Sequence, residues 1–180
     1  MFRKLKITEM GRMTVEQFHK SDKLPLVVVL DNVRSLYNIG SVFRTCDAFR
    51  VAEVVLCGIT ATPPNAEIHK TALGAEDSVA WHHFSDTMEA VEWLQSEGYT
   101  LLAIEQCEGS TMLQHFVPKY SDEKYAVVLG NEVKGVQQQV VDACDECLEI
   151  PQFGTKHSMN VSVTAGIVIW HFAQQLNLNS

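Results

Sequence analysis

Leu26-Val27-Val28-Val29-Leu30-Asp31-Asn32 is an unbroken apolar, largely β-branched run that stops at two short polar residues. A strand with one wet face alternates apolar and polar side chains, so a strand apolar at every position must be covered on both faces. This stretch therefore reads as a central parallel strand. Working outward, similar runs recur at 52–57, 100–104, 126–129 and 147–150, and helical patterns lie between them at 38–49, 86–95 and 136–143, with Asp86 and Glu89 spaced as a capping pair. The alternation predicts an α/β fold, a mostly parallel sheet flanked by helices on both faces. Residues 60–75, with Pro63-Pro64 and little periodicity, read as a long surface loop. There is no internal repeat or long linker, and 180 residues suffice for one domain with its own core. The expected division is a short basic extension over 1–24 and a folded body over 25–180.

The composition is that of an ordinary globular protein, with 46% hydrophobic and 20% charged residues. No apolar run approaches the roughly 20 residues of a membrane span, and Met1-Phe2-Arg3-Lys4-Leu5-Lys6 lacks the apolar centre of a signal peptide, so a cytoplasmic location is expected. Five cysteines scattered through apolar segments fit reduced thiols better than a disulfide framework. The net charge of −8 disfavours indiscriminate nucleic-acid binding, but it is unevenly spread. Residues 1–24 carry six bases, Arg12 among them, against three acids, so that arm is +3 and the rest of the chain −11. The arm is either a phosphate-binding segment or merely solvated.

Three segments share one build: an apolar run, then Gly, Asn or Glu, then a helix. In Asn38-Ile39-Gly40-Ser41-Val42-Phe43-Arg44, Asn38 stands as a helix N-cap, and Gly40 and Ser41 leave the first turn open to a ligand. The bland alternative is that Asn38 only caps and Arg44 pairs with Asp47. Gly130-Asn131-Glu132-Val133-Lys134-Gly135 lies between a strand and a helix, where open α/β sheets bind ligands, yet fits neither the dinucleotide nor the phosphate-loop glycine pattern. The third runs from Ile150-Pro151-Gln152-Phe153-Gly154 through Thr155-Lys156-His157-Ser158-Met159-Asn160 into Val161-Ser162-Val163. Three such loops in one small domain suggest one shared site.

Other motifs point elsewhere only weakly. Cys144-Asp145-Glu146-Cys147 has no second pair at zinc spacing, His69, His82 and His83 sit in loop-like surroundings, and Ser158 lacks a nucleophile-elbow context. The last segment, 161–176, is apolar nearly all round. Its length favours helix although its β-branched content leaves a strand reading open, and a helix of this kind in a small domain predicts a homodimer.

Together, Asn38 and Arg44 in an N-x-G-x-x-x-R arrangement, Gly130-Asn131-Glu132 with Gly135, and Ile150-Pro151 followed by Gly154 and Ser158 to Val163 resemble, in order and spacing, the three motifs of the SpoU (TrmH) RNA 2′-O-methyltransferases of the SPOUT superfamily. The resemblance covers about residues 24–175. It implies an α/β domain whose C-terminal segment forms a deep trefoil knot, a topology that general chain-threading rules would reject. It also implies S-adenosylmethionine as cofactor, tRNA or rRNA as substrate, no metal, and a homodimer built on the C-terminal helix in which Arg44 reaches the partner's cofactor site. By the same route Asn38, Arg44, Glu132, Ser158 and Asn160 match the polar set around the reacting ribose. Leu129, Gly130, Asn131, Ile150, Pro151, Ser158 and Met159 match the cofactor pocket. Arg44, joined by Lys156, His157 and Arg12, is expected to contact RNA. In the family the arginine at the place of Arg44 has been proposed as a base, but a guanidinium is protonated at all ordinary pH and is better suited to hold phosphate and developing alkoxide charge. Gln152 and Met159 replace residues more frequent in the family. The competing readings are a non-catalytic RNA- or cofactor-binding protein with this fold, and a small-molecule enzyme of Rossmann type.

Overall fold

In the computed structural model, which describes residues 1–119 and 123–176, the chain order is α1 (Val15–Lys20), β1 (Leu24–Asp31), α2 (Leu36–Ala48), β2 (Val51–Cys57), α3 (Ala66–Ala72), α4 (Ala75–Ser78), β3 (Ala80–Phe84), α5 (Thr87–Ser96), β4 (Tyr99–Ile104), β5 (Thr111–Met112), β6 (Lys124–Leu129), α6 (Gln138–Ala143), β7 (Glu146–Glu149) and α7 (Val161–Leu176). The described strands form one sheet in the order β3-β2-β1-β6-β4-β7-β5, and every pairing is parallel. The end of the folded body expected at 177–180 lies outside the described residues.

β1 shows why its sequence is apolar throughout. Leu26, Val28 and Leu30 point into a core shared with Ile39 and Phe43 of α2 and with Val168, Ile169 and Phe172 of α7, while Val27 and Val29 point into a second core with Ala90, Val91 and Leu94 of α5 and Val140 of α6. Successive side chains face opposite ways, and both faces are dry. Each fully buried aliphatic side chain contributes roughly 1.5–3 kcal/mol of transfer free energy, so a central strand with no exposed position in Leu26–Asp31 is well fixed in register.

Because all strands run one way, their C-terminal ends share one edge of the sheet. Asp31, fully buried there, accepts hydrogen bonds from Thr87 Oγ1 (2.6 Å), the Gln137 backbone N–H (2.9 Å) and its side-chain amide (2.8 Å), and Asn32 Nδ2 (2.8 Å). A buried carboxyl group is tolerable only when so bonded. Asp31 therefore ties the starts of α5 and α6 to β1 and fixes the frame from which the loops leave.

Several expectations need correction. Residues 60–75 are not a plain loop: Asn65 caps α3 by accepting the N–H groups of Glu67 and Ile68, and α4 follows, so His69 is helical. His82 and His83 lie on the edge strand β3. This strand is mostly exposed at the sheet edge, so the alternation that marks a core strand is missing. α2 starts earlier than expected, capped by Ser35 and not Asn38. Gly40 opens nothing to a ligand, since a Cβ there would overlap Thr71 Oγ1 and the Ile68 carbonyl, and the glycine instead lets α2 and α3 touch. Asp86 does cap α5, but Glu89 accepts from Ser85 Oγ rather than closing a reciprocal box. Within the arm, α1 buries Phe18 in the main core.

Candidate active site

The three loops converge at the C-terminal ends of β1, β6, β4 and β7. Loop 130–137 folds back on itself, with the Asn131 N–H donating to the Gly135 carbonyl (3.0 Å) and the Gly135 N–H to the Asn131 carbonyl (2.9 Å). Asn131 Oδ1 takes the N–H groups of Val133 and Lys134, and its Nδ2 donates to the Asn32 carbonyl (2.7 Å). Two glycines make this turn possible. A Cβ on Gly130 would overlap the backbone of Gly135 and Val136, and Gly135 has a φ of +69°.

That turn presents Glu132 to the start of α2. Glu132 Oε2 accepts from the Arg34 N–H (3.1 Å), and Oε1 from the Ser35 N–H (3.0 Å) and Asn38 Nδ2 (3.3 Å). Burial pushes the Glu132 carboxyl up, but the N–H groups of Arg34, Glu132 itself and Ser35, with the Asn38 amide, outweigh it and hold the pKa below the usual carboxylate range. Glu132 is thus an ionised acceptor with its lone pairs engaged, an anchor rather than a proton carrier.

Asn38 also reaches the third loop. Its Oδ1 accepts from Asn160 Nδ2 (3.1 Å) and Ser162 Oγ (3.4 Å), and Asn160 in turn caps α7 by accepting the N–H groups of Ser162 (2.9 Å) and Val163 (3.3 Å). Glu132, Asn38 and Asn160, one from each loop, form a single chain of hydrogen bonds. Gln106, in the turn after β4, fastens the third loop from below by donating Nε2 to the His157 carbonyl (2.6 Å).

Beside this junction is a narrow cleft with an interior of about 90 Å³, walled by Leu129, Gly130, Asn131, Ile150, Ser158 and Met159. Of the cofactor-site candidates, Pro151 alone does not line it. Sequence reasoning missed Glu105, Gln106 and Glu149, which also line it, and Ser162, which bonds the junction. Nothing about Glu105 in the sequence marks it, whereas its role is clear in space: Oε2 accepts the Val136 N–H (3.0 Å) and Oε1 the Gln106 N–H (2.8 Å). Among the described lining residues are three carboxylates, Glu105, Glu132 and Glu149, and no Lys, Arg or His. A polyphosphate cofactor would be repelled there. A ligand carrying positive charge beside an apolar body is suited to it.

Arg44 is not at this cleft. It lies six residues beyond Asn38 on α2, about 9 Å along the axis and on a different side of the helix, exposed and with no ion pair among the described residues. Asp47 does not hold it, accepting instead from Ser78 Oγ (2.5 Å). Arg44 lines a second cavity of about 680 Å³, together with Arg12 and Arg50. Lys156 and His157 are exposed on the third loop, and neither they nor Arg44 touch the cleft. α7 carries a row of exposed apolar side chains, Val163, Ile167 and Trp170. Among the described residues no group of three His, Cys, Asp or Glu side chains is placed to hold a metal, and no helix is long and apolar enough to cross a membrane. Burial pushes the thiols of Cys144 and Cys147 up to about 12, which removes the reactive thiolate a redox C-x-x-C requires.

Comparison with known proteins gives one consistent result. The profile of the SpoU rRNA Methylase family matches residues 25–170. The chain is 31% identical over 145 residues to the 23S rRNA (guanosine-2′-O-)-methyltransferase RlmB of Neisseria meningitidis, covering 81% of this chain and 56% of that protein. It is 30% identical over 153 residues to the tRNA (guanosine(18)-2′-O)-methyltransferase TARBP1 of Mus musculus, covering 83% of this chain and 9% of that one. The chain thus spans little more than half of the first relative and a small part of the second. Its fold matches that of the crystal structure of an AdoMet-bound rRNA methyltransferase from Sinorhizobium meliloti with a TM-score of 0.78 at 23% identity, over 89% of this chain and 62% of that one.

Proposed function

The chain belongs to the SpoU rRNA methylase family, and on that premise we propose that it is an S-adenosylmethionine-dependent RNA 2′-O-methyltransferase acting on tRNA or rRNA. The observation that carries the proposal is the hydrogen-bonded chain Glu132–Asn38–Asn160 at the mouth of the acidic cleft. It assembles the three family motifs at one place.

The residues present fit the cofactor. The cleft combines apolar walls from Leu129, Ile150 and Met159 with carboxylates that favour a sulfonium and an ammonium. When bound, the cofactor supplies a methyl group already activated on sulfonium sulfur. The protein therefore has to position a ribose hydroxyl, exclude water and let one proton depart. Asn38, Asn160 and Ser158 offer neutral donors and acceptors to that hydroxyl, and Glu132 holds Asn38 in orientation. Arg44 binds the adjacent phosphate and stabilises charge developing on the oxygen, while the proton leaves to water.

Arg44 lines no part of its own chain's cleft, which agrees with the expectation that it reaches the cofactor site of a partner in a homodimer. The Val163, Ile167 and Trp170 row on α7 is the apolar surface such a dimer would bury. The finer reading of the fold, a trefoil knot, is supported by the strand order, in which β6 inserts between β1 and β4 and β7 lies beyond β4, before α7 returns to pack on β1 and α2. The body from 25 onward is the methyltransferase unit and 1–24 a basic extension that brings Arg12 beside Arg44. A cytoplasmic setting agrees with five free cysteines among the described residues. Calorimetric titration with S-adenosylmethionine tests the cleft: wild type should bind and Met159→Arg should not. Wild type that fails to bind would overturn the assignment.

A further inference from the structure

The third loop is both a wall of the cleft and its least secured part. Gln152, Ser158 and Met159 line the cleft, yet residues 152–158 are exposed throughout. From Pro151 to Met159 the loop takes one hydrogen bond among the described residues, from Gln106 Nε2 to the His157 carbonyl at 2.6 Å. A segment with few bonds and little buried surface opens locally at low cost. That one bond therefore weighs heavily in how often the wall is in place.

Gln106 can hold the loop because its neighbour is fixed. Glu105 donates its N–H to the Leu148 carbonyl (3.1 Å) and accepts the Cys147 thiol at its own carbonyl (3.4 Å), so the backbone here is tied to β7. The Glu105 carboxylate takes the Val136 N–H (3.0 Å), which joins it to the second loop, and the Gln106 N–H (2.8 Å), which steadies the turn. Gly135 leaves room for that carboxylate, since a Cβ there would overlap Glu105 Oε2. Glu105 thus serves backbone groups that fold the turn itself, while the Gln106 amide extends from this anchored point to the third loop.

We propose that Gln106 is a positioning residue for the cofactor: by holding the His157 carbonyl it keeps Ser158 and Met159 against the cleft, and so sets how long S-adenosylmethionine stays bound. Gln106 acts through the loop. The inference rests on the methyltransferase reading.

Three variants of the full chain test it. Gln106→Met keeps length and neutrality and removes the donor. Gln106→Glu also removes the donor but adds a charge that by itself favours a cation. Gln106→Lys restores an N–H donor. Amide hydrogen exchange of residues 152–159 is followed in the cofactor-free chain, and release of labelled S-adenosylmethionine is followed during a chase with unlabelled cofactor. Loss of one hydrogen bond should speed both loop exchange and release about threefold to tenfold in Gln106→Met and Gln106→Glu, with the melting temperature unchanged. Gln106→Lys should return loop exchange to the wild-type rate. If exchange and release are unchanged in the two donor-less variants while wild type binds the cofactor, the proposal is overturned and the methyltransferase reading stands. Slower release from Gln106→Glu than from wild type would show that charge governs residence, and faster release with unchanged exchange would put Gln106 directly on the cofactor. Either result also overturns the proposal, as does faster exchange without faster release. A wild type that binds no S-adenosylmethionine removes the reading itself, and the proposal with it.

Discussion

Asn160 donates its side-chain amide to Asn38 Oδ1 at 3.1 Å across 122 positions of sequence. That bond joins the cap of α7 to the first turn of α2, and through Asn38 Nδ2 it continues to Glu132. The relationship makes the two asparagines one unit: each orients the other, and Asn160 is more than the cap of α7.

Asn160→Ala removes two jobs together. Loss of the cap on Ser162 and Val163 should cost about 1 kcal/mol of stability, and loss of the Asn38 contact should lower methyl transfer well beyond what that destabilisation explains. Thermal melts and single-turnover rates on the same preparation separate the two. Full activity with a lowered melting temperature would reduce Asn160 to a cap.

Glu132→Gln should cost stability in a pH-dependent way. The folded-state pKa of Glu132 is depressed, so its contribution is fully present above the unfolded value of about 4.5 and is lost as pH falls through the folded value. Urea unfolding of wild type and variant from pH 7 to pH 3 should show a stability gap at neutral pH that closes below about 4.5. A gap constant across that range would contradict the ionised-anchor role.

Gly130→Ala places a methyl group against the backbone of Gly135 and Val136, where no flexible side chain can yield. A cost of about 1–3 kcal/mol is expected from the forced shift, together with weakened S-adenosylmethionine binding as the turn opens. Unchanged melting temperature and affinity would show that the turn is less tightly closed than the structure has it.

Arg44→Ala and Asn160→Ala should complement one another when their subunits are mixed. If Arg44 serves the other copy's cleft, random re-pairing gives half heterodimers with one intact site each, or about a quarter of wild-type activity. No recovery on mixing would place Arg44 in its own chain's site or remove it from the reaction. Trp170→Glu, on the exposed row of α7, should yield a monomer by sedimentation and lower activity in parallel.

Much of this was legible from residues 26–32, because burial on both sides imprints itself directly on a strand as continuous apolar sequence. β3 was not legible, since Ala80–Phe84 is an edge strand with most of its side chains in solvent. Nor was α3, a short helix whose Asn65 cap follows Pro63-Pro64 and is masked by them. At the site, Gly130, Glu132 and Asn160 stood out because turns and caps require particular residue types. Glu105 and Gln106 did not, since their roles depend on backbone groups 31 and 51 positions away. The separation of Arg44 from its own chain's cleft was legible, since six residues of helix set the two ends of N-x-G-x-x-x-R on different sides and the resemblance put this arginine at the partner's cofactor site.

The most direct test of the central claim is transfer of labelled methyl from S-adenosylmethionine to total unmodified RNA, followed by nucleoside mass spectrometry, with wild type and Arg44→Ala compared. A 2′-O-methylnucleoside formed by wild type and lost or strongly reduced with Arg44→Ala is the predicted result. Label on a base rather than a ribose, or no transfer by a protein that binds the cofactor and is offered tRNA and rRNA, would contradict it.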